Sequence, residues 1–344
     1  MGVRVLTCLD LACQPHLPRK HTKLPKRCHM QFHRFNSSIQ VQASSSTNGL
    51  GDLDMMLKKA KDETKAISLV KNLCEAGQLM AFGNVRQVPK RSYTLEELRL
   101  NKIDTRYFLA PEDTTLDDVR TKMQLAAATG AVAAYTTHSI DTFYLVQSII
   151  FLGFILTADQ VANAGGIEAL IIDTVARVIS PTYQKRVALH EAGHFLIAYL
   201  LGLLPKGYTL SSWDAFVENR RLNFQAGTTF CDSEFQEEVS KGQISSSSLD
   251  VFSCVALAGV ATEWLRYGKA EGGLSDIMQL DGLMKALGFT QAKADDQVRW
   301  SVLNVVTLLR RHSKVQDKLA DAMLKRSSVS ECIRIIEENY EDLI

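Results

Sequence analysis

His190-Glu191-Ala192-Gly193-His194 is a short stretch of this 344-residue chain whose residue types and spacing together describe a piece of chemistry. Residues four apart on a helix lie one turn apart on the same face, so both imidazoles can reach one ion. The surrounding sequence, Val187 to Leu204, reads as helix throughout. Glu191 adjoins the first imidazole and can reach a water bound to that ion. Two imidazoles suit Zn2+, which lowers the pKa of its water toward neutrality. The glutamate then takes the proton as the zinc-bound water attacks a peptide carbonyl, and hands it to the leaving amine. The pattern therefore predicts a zinc metalloendopeptidase with His190 and His194 as ligands and Glu191 as general base.

A catalytic zinc takes three protein ligands and keeps one position open. The extended form His-Glu-x-x-His-x-x-Gly-x-x-His would place a histidine at position 200, where the chain has Leu200. That leaves a carboxylate distant in sequence.

Three ordered segments carry a family resemblance. Val187-Ala-Leu-His-Glu-Ala-Gly-His194 resembles the opening of the peptidase domain of the FtsH family, the membrane-anchored ATP-dependent zinc proteases. Ala256-Leu-Ala-Gly-Val-Ala-Thr-Glu263 is similar to that family's Leu-Ala-Gly-Arg-Ala-Ala-Glu, with Val260 at the usual arginine. Gly272-Gly-Leu-Ser-Asp-Ile277 resembles its Thr-Gly-Ala-Ser-Asn-Asp-Leu, whose aspartate is the third ligand. Gly288-Phe289 and a helical tail from Ser301 to Leu343 follow in the family's order, so the resemblance spans residues 180–344. It implies Asp276 as third ligand beside His190 and His194, Glu191 as base, and protein or peptide substrates. The interval from Asp276 to Gly288 is shorter than the family's by about one helical turn, and Glu263 and Asp281 stand as alternative carboxylates.

No Gly-x-x-x-x-Gly-Lys-Ser/Thr occurs, so the family's ATPase module is not expected here. The chain reads as a peptidase that is ATP-independent by itself, acting on loose or small substrates or beside a complete FtsH-type ATPase protease. A rival is a site-2-type intramembrane protease, supported by the apolar run after His194 and the triplet Leu280-Asp281-Gly282. Lys285, Lys293, Asp295 and Asp296 nearby argue against placing that triplet in lipid. A third reading is a non-cleaving membrane scaffold that keeps a peptidase fold.

The elements that must position these residues read as mostly α. A helical pattern from Gly165 to Ile179 stops at Pro181, just ahead of the motif. Residues 52–77 form an amphipathic pattern behind a Ser, Gly and Asn-rich linker at 44–51, and helix starts are expected at Thr94 and Thr115. Phe143 to Ala158 carries no charge and spans about 24 Å as a helix, short of a hydrocarbon core of about 30 Å. With the uncharged run Met123–Ile140 it reads either as a transmembrane hairpin turning near His138 to Asp141, both ends on one side, or as a pair of buried core helices.

Residues 1–43 hold seven Lys or Arg against Asp10, a net of +6 that leaves −5 for the rest of a chain of net charge +1. This acid-poor, Ser-containing segment reads as a transit peptide, and Val41-Gln42-Ala43 before three serines resembles a plant chloroplast processing site. A thylakoid or envelope membrane is the expected address, with the mitochondrion as alternative. A mildly acidic body gives no reason to expect nucleic acid. Cys74, Cys231, Cys254 and Cys332 are widely spaced and predict buried thiols. The expected order is a transit peptide (1–43), a helical N-terminal region (44–122), candidate transmembrane helices (123–158), a linking helix (159–180) and an FtsH-like peptidase domain (181–344).

Overall fold

A computed structural model describes residues 46–58, 63–104, 108, 110–137, 141–163, 165–220 and 226–339, and the chain is mostly α as expected. The expected transit peptide lies outside the described residues. The first half contains α1 (Ser46–Lys58), α2 (Glu63–Glu75), α3 (Leu95–Leu100), α4 (Thr114–Thr136), α5 (Thr142–Asn163) and α6 (Gly166–Ile179). The second half runs α7 (Pro181–Leu200), β1 (Pro205–Thr209), α8 (Ser212–Asn219), β2 (Gly227–Phe230) and α9 (Ser233–Ser240). It continues through α10 (Ser246–Tyr267), α11 (Leu274–Ala286), α12 (Gln291–Arg311), α13 (Ser313–Leu324) and α14 (Val329–Glu338).

Local chemistry explains most boundaries. Thr94 and Glu97 form a reciprocal capping box at the head of α3. Ser180 caps α7, and Pro181 sits in its first turn, where the missing N–H costs nothing. Three boundaries differ from the sequence expectation. The stretch read as a linker is helical from Ser46, because Leu53 and Leu57 seat α1 in the core and the helix extends back from them. The cap of α4 is Asp113, whose carboxylate accepts from the Leu116 N–H at 3.0 Å, rather than Thr115.

The motif helix also ends sooner than the expected Leu204. Gly202 adopts φ +85°, and the Leu203 N–H returns to the Ala198 carbonyl, closing α7 and turning the chain into β1. β1 pairs antiparallel with β2, matching Tyr208 with Thr228 and Thr209 with Gly227. This two-stranded sheet has no signal in the sequence, since its strands are short and rich in Gly, Pro and Thr.

The centre of the molecule is the pair α7 and α10. α13 lies against α7, while α11 and α12 lie against α10. From Val187 to Leu200 every residue of α7 is buried, so it has no solvent face. One apolar cluster joins Leu53, Val70, Phe195, Leu319 and Ile333. A second joins Phe108, Leu257, Leu283, Trp300 and Val305. Cys231, Cys254 and Cys332 are buried free thiols, and burial pushes each up to about 12.

Among the described residues two helices are long and apolar enough to cross a membrane, α5 and α10. They differ in what covers them. α10 is mostly buried and is a core helix. Among the residues of α5 only Asp159 is buried, and Phe143, Ile149, Ile150, Phe151 and Phe154 are exposed. As a helix of 22 residues α5 spans about 33 Å, longer than its uncharged run alone. Residues 138–140 of the expected turn lie outside the described residues. At the other end the Asp159 carboxylate accepts from the Ile167 and Glu168 N–H groups, tying α5 to the head of α6.

Glu337 closes the fold from the C-terminal end. Its carboxylate accepts from the Met80 and Ala81 N–H groups and from the Tyr199 hydroxyl at 2.6 Å. Glu337→Ala leaves these donors without their acceptor and is expected to cost about 2 kcal/mol, read as a lowered urea midpoint.

Candidate metal centre

Because α7 is a regular helix, His190 and His194 share a face, with ring centroids 4.8 Å apart. α11 brings the third group. Gly273 holds φ +92° at its head, and Asp276 in its first turn points at both imidazoles. Asp276 Oδ2 lies 3.4 Å from His190 Nε2 and 3.3 Å from His194 Nε2. One ligand atom from each of the three falls within 4.8 Å of the others. Donors on a tetrahedral zinc with bonds of about 2.0–2.1 Å sit about 3.3–3.4 Å apart, so the two distances from Asp276 Oδ2 to the imidazole nitrogens fit.

The opposite ring nitrogens fix the tautomers. His190 Nδ1 lies 2.7 Å from Glu263 Oε1, and His194 Nδ1 donates to the Val255 carbonyl at 2.8 Å. A carbonyl only accepts, so His194 carries its proton on Nδ1 and turns the Nε2 lone pair toward Asp276. That Nε2 is buried without a hydrogen-bond partner, as is Glu191 Oε1. The other Glu191 oxygen accepts from the Thr228 hydroxyl of β2 at 2.9 Å. Two orphaned buried acceptors, one of them 3.3 Å from a carboxylate oxygen, are what a cation would satisfy.

Close helix approach makes room for these rings. A Cβ on Gly259 of α10 would stand 2.1 Å from His190 Nε2, and one on Gly193 of α7 would stand 2.3 Å from Thr262 Oγ1. Both glycines are required by the contact between the two helices.

His190, Glu191, His194, Glu263 and Asp276 are all fully buried, so the site's field is strong. Burial works against charge on His190, but its hydrogen bonds to Asp276 and Glu263 outweigh it and lift the imidazole to about 10. Burial alone would raise Asp276, and the two imidazoles hold it well below the usual carboxylate range. Burial raises Glu191, with His194 and His190 pulling the other way.

The structure brings together all four residues singled out by the sequence: His190, Glu191, His194 and Asp276. It separates the two alternative carboxylates from the ligand position. Glu263 holds the far nitrogen of His190, and Asp281 pairs with Lys285 on an exposed part of α11. The Thr228 hydroxyl and the Val255 carbonyl had no sequence signal. Beyond Glu263, Arg186 pairs with Glu271 at 2.8 Å, and a cavity of about 70 Å³ opens between Asp113, Asp173, Tyr183, Arg186, Glu263 and Glu271.

No protein-family model matches the chain, and no solved structure matches it. The chain is similar to the ATP-dependent zinc metalloprotease FtsH of Thermotoga maritima, at 22% identity over 201 residues. The match covers 49% of this chain and 33% of the bacterial protein, so the chain spans about a third of that relative's length. The likeness suggests a metalloprotease-related function and, with the donor set above, a zinc site.

Gly259→Ala is expected to displace His190 and abolish stoichiometric zinc, read by elemental analysis of a protein that still shows helical circular dichroism. For the adjoining cavity, burial raises Asp113 from 3.8 to about 6. The folded state therefore holds this proton more tightly than the unfolded chain, and stability falls as pH rises from about 4 to about 6. Asp113→Asn keeps the helix cap without the charge. It is expected to raise the melting temperature at neutral pH, with the gain shrinking as pH falls through that window.

Proposed function

We propose that the chain is a zinc-dependent endopeptidase, FtsH-like in its catalytic half and independent of ATP by itself. The observation that carries this is the convergence of His190, His194 and Asp276 through one nitrogen or oxygen each, with Glu191 on the adjacent position of the same helix. A zinc ion held there would supply Lewis acidity and a water of near-neutral pKa. Glu191 accepts the proton of the attacking water at its unpartnered Oε1 and returns it to the leaving amine. Thr228 keeps the other oxygen of Glu191 in place, while Glu263 and the Val255 carbonyl hold both imidazoles in the metal-binding tautomer.

The exposed apolar surface of α5 supports attachment to a membrane as a hairpin with α4, with the peptidase half on one side. A plastid membrane, thylakoid or envelope, is the proposed setting on the strength of the basic N-terminal segment, the mitochondrion being the alternative. Protein or peptide substrates arrive already unfolded, or from a complete FtsH-type ATPase protease beside it. The surface position of Asp281 removes support for a site-2-type arrangement.

One observation favours a second reading. Glu191 and all three ligands expose no surface, which also suits a membrane scaffold that binds zinc and does not cut. Zinc content and cleavage of an unfolded protein such as casein, with and without ATP, separate the two. Glu191→Gln is expected to retain zinc and lose at least about a hundredfold in kcat, and Asp276→Asn to lose most of its zinc. Full zinc with no turnover in the wild type would establish the scaffold, and equal cleavage by Glu191→Gln would remove the proposed mechanism.

A further inference from the structure

The loop between α10 and α11, residues 268–273, serves the metal centre twice. Its Glu271 and Gly272 N–H groups donate to the Glu263 carboxylate, the former at 2.8 Å, and that carboxylate holds His190. Its far end, Gly273, begins the helix turn that presents Asp276. Two of the three ligands therefore depend on where this loop lies.

What holds the loop comes from far away in sequence. The Thr114 hydroxyl donates to Glu271 Oε1 at 2.8 Å, and the Thr115 hydroxyl donates to Glu271 Oε2 at 2.5 Å. The Glu112 N–H donates to the Ala270 carbonyl at 3.2 Å. Lys269 Nζ also donates to Thr114 Oγ1, and Arg186 reaches Glu271 from one helical turn before His190. A path of hydrogen bonds, linked through the covalent frames of Glu271 and Glu263, runs from the first turn of α4 to His190. α4 is the helix that leads into α5, whose apolar surface is exposed.

We infer that Thr114 and Thr115 are positioning residues for the metal centre: the first turn of α4 latches the 268–273 loop and so sets His190 and Asp276. The hairpin of α4 and α5 is then mechanically part of the site, and a shift at the base of α4 changes how tightly the metal is held. The hydroxyls, rather than the bulk of the threonines, carry this. A carboxylate deprived of two donors turns toward its remaining cationic partners, Arg186 and Lys269, and takes its own N–H away from Glu263.

This inference rests on His190, His194 and Asp276 holding zinc, and the experiment separates the two claims. The full chain in detergent is titrated with zinc against a chromophoric chelator, and with Co2+ to record the visible ligand-field spectrum. Thr114→Val/Thr115→Val keeps shape and removes the hydroxyls. It is expected to bind zinc about tenfold more weakly and to shift the cobalt bands. Thr114→Ser/Thr115→Ser, which keeps the hydroxyls, and Thr121→Val, about two turns further along α4, are expected to match the wild type. The single Thr115→Val gives the same reading, at smaller size, if the double variant does not fold. Unchanged zinc affinity and cobalt spectrum in a folded valine variant would overturn the inference, as would serine variants as weak as valine ones. If the wild type itself takes up no zinc, the metal reading falls and this inference with it. Weak valine variants beside a zinc-loaded but non-cleaving wild type would support the latch and refute only the cleavage.

Discussion

Burying ionised groups without partners costs several kcal/mol each, and this structure buries three carboxylates beside two imidazoles. That constraint orders everything around it. α7 and α10 approach closely enough at Gly193 and Gly259 for the His190 ring to stand against α10. Glu263, one turn further along α10, then meets the back of that ring, and the Val255 carbonyl meets the back of the other. The surrounding helices bury this pair on all sides, so the field inside is not screened by water.

How much of this was legible in the sequence depended on how local the signal was. His190, Glu191 and His194 declare themselves because their spacing matches one helical turn. Asp276 is far away in the chain, and only its resemblance to a family segment separated it from Glu263 and Asp281. Physical spacing explains why those two do other work. Glu263 faces the nitrogen of His190 that points away from the ligand position, and Asp281 lies beyond the first turn of α11 with Lys285 as its partner. Thr228 was illegible: it reaches Glu191 only because a short strand pairs with β1, and nothing in Gly-Thr-Thr-Phe announces a strand.

In the N-terminal half, sequence pattern reveals helices but not their purpose. Thr115 read as a helix start because Thr before acidic residues is a capping signal. The structure gives the cap to Asp113 and turns the threonine hydroxyls toward Glu271. Contacts across such sequence distances leave no periodic trace. The uncharged run after Asp141 was more legible, because the absence of charge over a helix-length segment is itself a signal. What covers such a helix is not written in that segment: α10 passes the same test of length and apolarity and is a core element.

Zinc K-edge X-ray absorption on the purified, zinc-loaded chain tests the central claim most directly. The account predicts one zinc per chain with two imidazole nitrogens and carboxylate or water oxygens, all at about 2.0–2.2 Å. A shell containing sulfur at about 2.3 Å, or one without imidazole scattering, would contradict it.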